Sequence, residues 1–229
     1  MSVLHPNILN IIAVATALEP LGQDVVFVGG ATTLLYADNA ELGEVRATED
    51  VDCLVELASL NGYHLLEEKL RLIGFKNSGD PSAPICRWKL GNLTVDMMPT
   101  EGSILGFSNV WYVPGFAKRE KLTIRGSDTE IYILKPEYFL ASKLTALFDR
   151  GIGDLILSQD FEDILFLASR RSNLVEEIKA SESKVYKFIK EKLFELLNHS
   201  QFEQALSGQF PRAEQSKVRE NVVTLFKFI

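Results

Sequence analysis

The feature that most limits what this chain can fold into is a change of texture at Lys135-Pro136. Before it, apolar runs are short and punctuated by glycine. After it, apolar residues recur at helical spacing to the last residue. Short apolar runs bounded by Gly, Asn or Asp read as strands, and stripes at three- and four-residue spacing read as amphipathic helices. The expected fold class is α+β. A domain over residues 1–134 would carry a mixed β-sheet flanked by helices, and residues 135–229 would form a helical domain. With 229 residues, 46% of them apolar, the chain can bury a core in each half.

Within the first half, residues 7–19 place Ile8, Ile11, Ile12, Ala15 and Leu18 on one helical face, with Pro6 suited to the first turn. Residues 24–28 are a short apolar strand, broken by Gly29-Gly30, and a helix is expected over 31–37. Residues 38–48 are polar and loop-like. Residues 50–56 alternate acidic and apolar side chains, as a strand with two unlike faces does. A helix is expected over 60–73. Residues 85–90 and 93–98 form a hairpin about Gly91-Asn92, and 121–125 with 130–134 suggest a second strand pair. Residues 105–116 show no usable period.

In the second half, helices are expected over 136–150, 159–169, 181–197 and 213–228. Val185, Phe188, Ile189, Leu193 and Leu196 form one apolar stripe, and Val218, Val222, Leu225, Phe226 and Ile229 another. Such stripes pack a core and need no cofactor to explain them.

Composition removes several function classes. No apolar run is long enough to cross a bilayer, and the first 18 residues have neither the basic head nor the cleavage site of a signal peptide. Cys53 and Cys86 make neither a metal-ligand spacing nor a disulfide framework. They are expected to be reduced and close to the core, in a cytoplasmic protein without membrane partners. The net charge of −7 provides no general attraction for nucleic acid.

The most informative segment runs from Arg46 to Asp52. Residues i and i+2 of a strand face the same way, about 6.6 Å apart at ~3.3 Å per residue, so Asp50 and Asp52 share a face. Two such carboxylates can hold a hard cation such as Mg²⁺ or Mn²⁺, with its shell completed by water and phosphate. Asp96, within the apolar strand Leu93-Thr-Val-Asp96-Met-Met, is the candidate third ligand, because a charge among apolar neighbours demands a partner. Gly29-Gly30, between a strand and a helix start, offers backbone N–H groups to a phosphate, and Thr32 and Thr33 could add hydroxyls.

In that order, the Gly-Gly turn, Asp-x-Asp and later strand Asp resemble the signature of the DNA polymerase β-like nucleotidyltransferase superfamily. The nearer resemblance is to its AbiEii-type toxin-like group. Arg46, Thr48, Asp50 and Asp52 match that group's Arg-x-Thr-x-Asp-x-Asp pattern, and Lys143, Ala146, Arg150, Asp160 and Asp163 match its helical block. The resemblance spans about residues 25–167. Gln159 departs from it, standing where relatives often carry Lys, Arg or His.

The resemblance implies a nucleotidyltransferase domain followed by a helical domain, and transfer of a nucleoside monophosphate from a nucleoside triphosphate to an acceptor hydroxyl on tRNA, a protein or a small molecule. Asp50, Asp52 and Asp96 would be catalytic and would hold the metal. Gly29, Gly30, Thr32, Thr33, Arg46, Thr48 and Lys143 would bind nucleotide or phosphate, Arg46 alternatively supporting the acidic strand, with Arg150, Asp160 and Asp163 in support; Arg87, by its place on the strand before Asp96, would face the same cleft as a further supporting residue. For Lys143, Arg150, Asp160 and Asp163, an ion-paired lock between helices is an equal reading. A toxin-like role would imply an antitoxin encoded nearby. Gln159 motivates the alternative of an inactive nucleotide- or protein-binding module on the same fold.

Overall fold

The computed structural model describes residues 4–38, 45–106, 108–209 and 212–228. The chain divides into two compact units, Met1–Leu35 with Glu41–Lys135, and Tyr36–Ala40 with Pro136–Ile229. None of the described helices is long and apolar enough to cross a membrane.

The first unit opens with α1 (Pro6–Leu18). Pro6 supplies a first-turn residue whose missing N–H is no loss, and His5 caps the helix by accepting the Asn7 N–H. The buried face is Asn7, Ile8, Ile11, Val14 and Leu18. It is turned from the expected stripe: Ile12 and Ala15 are only half-buried, and a polar residue, Asn7, lies wholly inside.

Seven strands among the described residues form one sheet, in the order β3-β4-β5-β2-β1-β7-β6. They are β1 (Val25–Val28), β2 (Asp50–Val55), β3 (Lys76–Asn77), β4 (Arg87–Leu90), β5 (Leu93–Pro99), β6 (Glu120–Thr123) and β7 (Glu130–Ile133). β1 pairs with β2 antiparallel and with β7 parallel, and β2 pairs with β5 parallel. Every residue of β1 is buried, as befits a strand in the middle of a covered sheet. The β4–β5 hairpin closes on Leu90 and Leu93 around Gly91-Asn92. Gly91 has φ +57°, the left-handed backbone that a two-residue hairpin turn demands.

Between the strands lie α2 (Leu60–Leu72), capped by Ser59 Oγ on the Gly62 N–H, and two short helices, α3 (Gly102–Leu105) and α4 (Tyr112–Ala117). Of the segment that showed no period, α4 takes the last residues and α3 reaches only the first. After β1, residues Gly30–Tyr36 form the helix expected over 31–37, and it is of the tight 3₁₀ kind.

The second unit is helical: α5 (Pro136–Ala146), a wide π turn at Leu147–Gly151, then α6 (Gln159–Arg170), α7 (Leu174–Ala180), α8 (Ser183–Leu197), α9 (Phe202–Gln209) and α10 (Arg212–Phe228). Ser158 caps α6 through its hydroxyl. The stripe on α8 is inward: Val185, Ile189, Leu193 and Leu196 are buried, with Phe188 half-buried. Val222, Leu225 and Phe226 of α10 are buried too. The side chain of Val218, and Ile229, fall outside the described residues. Phe202 packs between Phe161 and Phe226, with ring centres 6.1 and 6.0 Å away. Tyr36 stacks on Phe139 at 4.3 Å, which ties residues 36–38 to this unit. The architecture is thus a mixed-sheet α/β unit followed in sequence by a helical bundle.

Candidate metal centre

The site is assembled by strand register. Asp52 lies beside Asp96 in the parallel β2–β5 pairing, and Asp50 lies beside Thr94. On β2, half-buried Asp50 and Asp52 alternate with buried Val51 and Cys53. Asp50, Asp52 and Asp96 therefore face one way, and each offers a carboxylate oxygen within 4.8 Å of the other two. Like charges so close repel, and are tolerated where cations gather. Hard oxygen donors from three strand carboxylates suit Mg²⁺ or Mn²⁺.

Gly29 completes the cradle. Its φ is +72°, and a Cβ built there would lie 2.0 Å from Asp52 Oδ2. Only glycine allows the turn after β1 to approach the Asp52 carboxylate so closely. Thr32 keeps the turn closed, since its N–H and its hydroxyl both bond to the Gly29 carbonyl, at 3.2 and 2.9 Å. Thr32 and Thr33 are themselves buried, whereas Gly29 and Gly30 are half-exposed.

Arg87 is the basic residue built into the cluster. It faces Asp96 across the β4–β5 pairing. Its Nε and one terminal nitrogen donate to the two Asp96 oxygens at 2.9 and 2.7 Å, and the same nitrogen lies 3.7 Å from Asp50 Oδ2. These hydrogen bonds to Asp96, with the charges of Asp96 and Asp50, raise the guanidinium pKa further above its already high ordinary value. Beneath the site, burial pushes the Cys53 thiol well up, aided by the charges of Asp52 and Asp96. Burial likewise pushes Cys86 up to about 12. Both cysteines are buried and unbridged.

Arg46 and Thr48 lead into β2 and are half-buried. They are held by a residue the sequence reading passed over. Asn7 Nδ2 donates to the Arg46 carbonyl at 3.0 Å, and Asn7 Oδ1 accepts the Thr48 N–H at 2.9 Å. The Thr48 hydroxyl in turn donates to the Asp50 carbonyl at 3.2 Å. His5 adds a bond from Nε2 to the Val45 carbonyl at 3.1 Å while its Nδ1 accepts the Asn7 N–H. That pattern makes Nε2 the protonated nitrogen. The available signal was an Asn one residue into a helix whose other inward positions are apolar.

The remaining expected site residues lie in the helical unit. Lys143 on α5 sits 3.1 Å from Asp160 and 2.5 Å from Asp163 on α6, and Arg150 reaches Asp160 at 2.9 Å. Gln159 is the exposed first residue of α6. Burial alone would lower the Lys143 pKa, but the Asp163 and Asp160 carboxylates outweigh it and hold the pKa above the ordinary lysine value.

No family model and no curated protein matches this sequence. Among solved structures it resembles an antigenic nucleotidyltransferase-like protein from Paracoccidioides brasiliensis, with a TM-score of 0.55 and 18% identity, over 88% of this chain and 92% of that one. The chain has a nucleotidyltransferase-like fold. At that identity the likeness is one of fold, and function has to be argued from the site.

Proposed function

We propose that the chain is a divalent-cation-dependent nucleotidyltransferase, which moves a nucleoside monophosphate from a nucleoside triphosphate to an acceptor hydroxyl. The observation that carries this is the convergence of Asp50, Asp52 and Asp96 within 4.8 Å on adjacent strands, against a turn that only glycine can form. A cation held there would neutralise phosphate charge and sharpen the α-phosphorus as an electrophile.

The chain's own residues supply position. Asp50 and Asp52 hold the nucleotide-bearing side of the site, and the half-exposed Gly29-Gly30 turn presents backbone to triphosphate oxygens. Asp96 takes the proton as the acceptor oxygen bonds to the α-phosphorus. The α–β P–O bond breaks in the same displacement, and pyrophosphate leaves. Such transfers depend chiefly on alignment and charge neutralisation. Thr32 and Thr33, being buried, serve the turn. Arg46 and Thr48 set the start of β2. Lys143, with Asp160, Asp163 and Arg150, is assigned here to holding α5 on α6, because it is buried and already paired.

Within this reading, the Arg46, Thr48, Asp50, Asp52 pattern favours an AbiEii-type enzyme with a toxin-like role, opposed by an antitoxin. The net charge of −7 favours an acceptor that needs few phosphate contacts, such as a protein, a small molecule or a tRNA end. The bidentate hold of Arg87 on Asp96 favours one second reading, an inactive module that binds nucleotide without turnover.

The deciding experiment supplies each α-labelled triphosphate with Mg²⁺ or Mn²⁺ and cell extract. Label should move to an acceptor, and the double change Asp50→Asn/Asp52→Asn should cut transfer on the order of a thousandfold while leaving the fold intact by circular dichroism. Transfer undiminished in the double variant rejects the site. Metal-dependent binding without transfer selects the inactive module.

A further inference from the structure

Resting on the nucleotidyltransferase reading, the position of Arg87 points to how that site chooses its ligand. The Asp96 side chain is only 9% exposed, so its charge needs a partner in every state of the protein. In the structure that partner is Arg87, whose Nε and one terminal nitrogen take both Asp96 oxygens, the same terminal nitrogen lying 3.7 Å from Asp50. A cation cannot use the Asp96 oxygens fully while the guanidinium holds both. Arg87 itself is 31% exposed and Asp50 42%, so the arginine borders water and can leave Asp96 without being desolvated further.

We infer that Arg87 is a built-in counter-ion that exchanges with the divalent cation at Asp96 and Asp50, and so couples cation binding to triphosphate binding. A free cation must break a bidentate ion pair to enter, and it leaves the displaced guanidinium without an anion. A cation arriving with a triphosphate brings the replacement anion with it, since the planar fork that fits a carboxylate also fits phosphate oxygens. Each ligand then strengthens the other by the same factor, as linkage requires. Arg87 acts in this way as a positioning and selectivity residue: it keeps the triad closed to cation alone and open to cation with triphosphate.

The test measures Mn²⁺ binding to the full chain by electron paramagnetic resonance, with and without a non-hydrolysable triphosphate analogue, for wild type, Arg87→Gln and Arg87→Lys. Without analogue, Arg87→Gln should bind Mn²⁺ on the order of tenfold more tightly than wild type. The strengthening that the analogue confers should shrink by a similar factor in Arg87→Gln. Arg87→Lys keeps a charge but loses the fork, and should fall between; it supplies the reading if Arg87→Gln does not fold. Mn²⁺ affinity no tighter in the neutral variant, or in the lysine variant should that alone fold, overturns the proposal and leaves Arg87 as a staple between β4 and β5. The Asp50→Asn/Asp52→Asn variant separates the two failures. If Mn²⁺ binding survives that change, the cation is not at the triad and the enzyme reading falls as well. If binding is lost there while Arg87→Gln shows no tightening, only the exchange falls.

Discussion

In the helical unit, Lys143 lies between Asp160 and Asp163, and all three side chains are less than a tenth exposed. In the sheet unit, Asp50, Asp52 and Asp96 converge, with Arg87 on Asp96 and near Asp50, and exposure rises from 9% at Asp96 to 42% at Asp50. Both clusters are made of aspartates and basic residues, yet they suit different work. In the first, Lys143 and the more exposed Arg150 balance two carboxylates, and Lys143 and both carboxylates are sealed from water, so the cluster can only be broken at high cost. In the second, Arg87 at the margin of the solvent holds Asp96 and approaches Asp50, the setting that the proposed exchange of one cation for another requires. Exposure and balance, more than residue type, separate a lock from a binding site.

Lys143→Met leaves Asp160 and Asp163 buried with less compensation, and should cost about 3–5 kcal/mol in urea unfolding. A loss below about 1 kcal/mol would mean the cluster is no lock. The pH dependence has a definite sign. The folded state raises the Lys143 pKa, so its contribution is complete below the ordinary lysine value of about 10.4 and fades as pH rises through the higher folded value. The gap in melting temperature between wild type and Lys143→Met should therefore stay constant from neutral pH into mild alkali and narrow only beyond it.

A smaller effect, on the other cluster, comes from Gly29→Ala. The left-handed backbone costs about 1–2 kcal/mol for a residue with a Cβ. The collision with Asp52 adds to this and should push the carboxylate aside, weakening Mn²⁺ binding by about 10–100-fold. In an Asp52→Ala background the stability penalty should fall back toward the backbone cost alone. The two residues should thus couple by about 0.5–3 kcal/mol in a double-mutant cycle. Equal penalties in both backgrounds would show that the turn and the carboxylate do not meet as described.

Gly29 and Asp52 also mark the limit of what the sequence makes legible. The change of texture at Lys135-Pro136 was readable because periodicity reports local burial, and it anticipated a sheet unit and then helices. The pairing of Arg87 with Asp96 was readable too: a two-residue turn at Gly91-Asn92 sets Leu90 opposite Leu93, and counting outward sets Arg87 opposite Asp96. The approach of Gly29 to Asp52 was not, because it depends on how β1 and β2 pair across a long connection. Helices α7 and α9 and strand β3 escaped notice because they are too short to establish a period. A helix after Gly30 was legible, but its 3₁₀ form was not, since it follows from closing the turn on the Gly29 carbonyl.

The finest distinction concerns Asn7, which belongs to neither cluster and touches the lead-in to one of them. Its amide bridges the Arg46 carbonyl and the Thr48 N–H, as a neighbouring strand would, and Thr48 carries the contact on to the Asp50 carbonyl. Asn7→Ala strands two part-buried backbone groups and should cost about 1–3 kcal/mol. Thr48→Val removes only the hydroxyl and should cost about 0.5–1.5 kcal/mol. If the bridge positions the acidic strand, both changes should also weaken Mn²⁺ binding, by a few-fold at most, with Asn7→Ala the larger. Destabilisation by Asn7→Ala with Mn²⁺ affinity untouched would mean that α1 steadies the sheet without aiming its carboxylates, and that register with β5 alone brings Asp50 and Asp52 to Asp96.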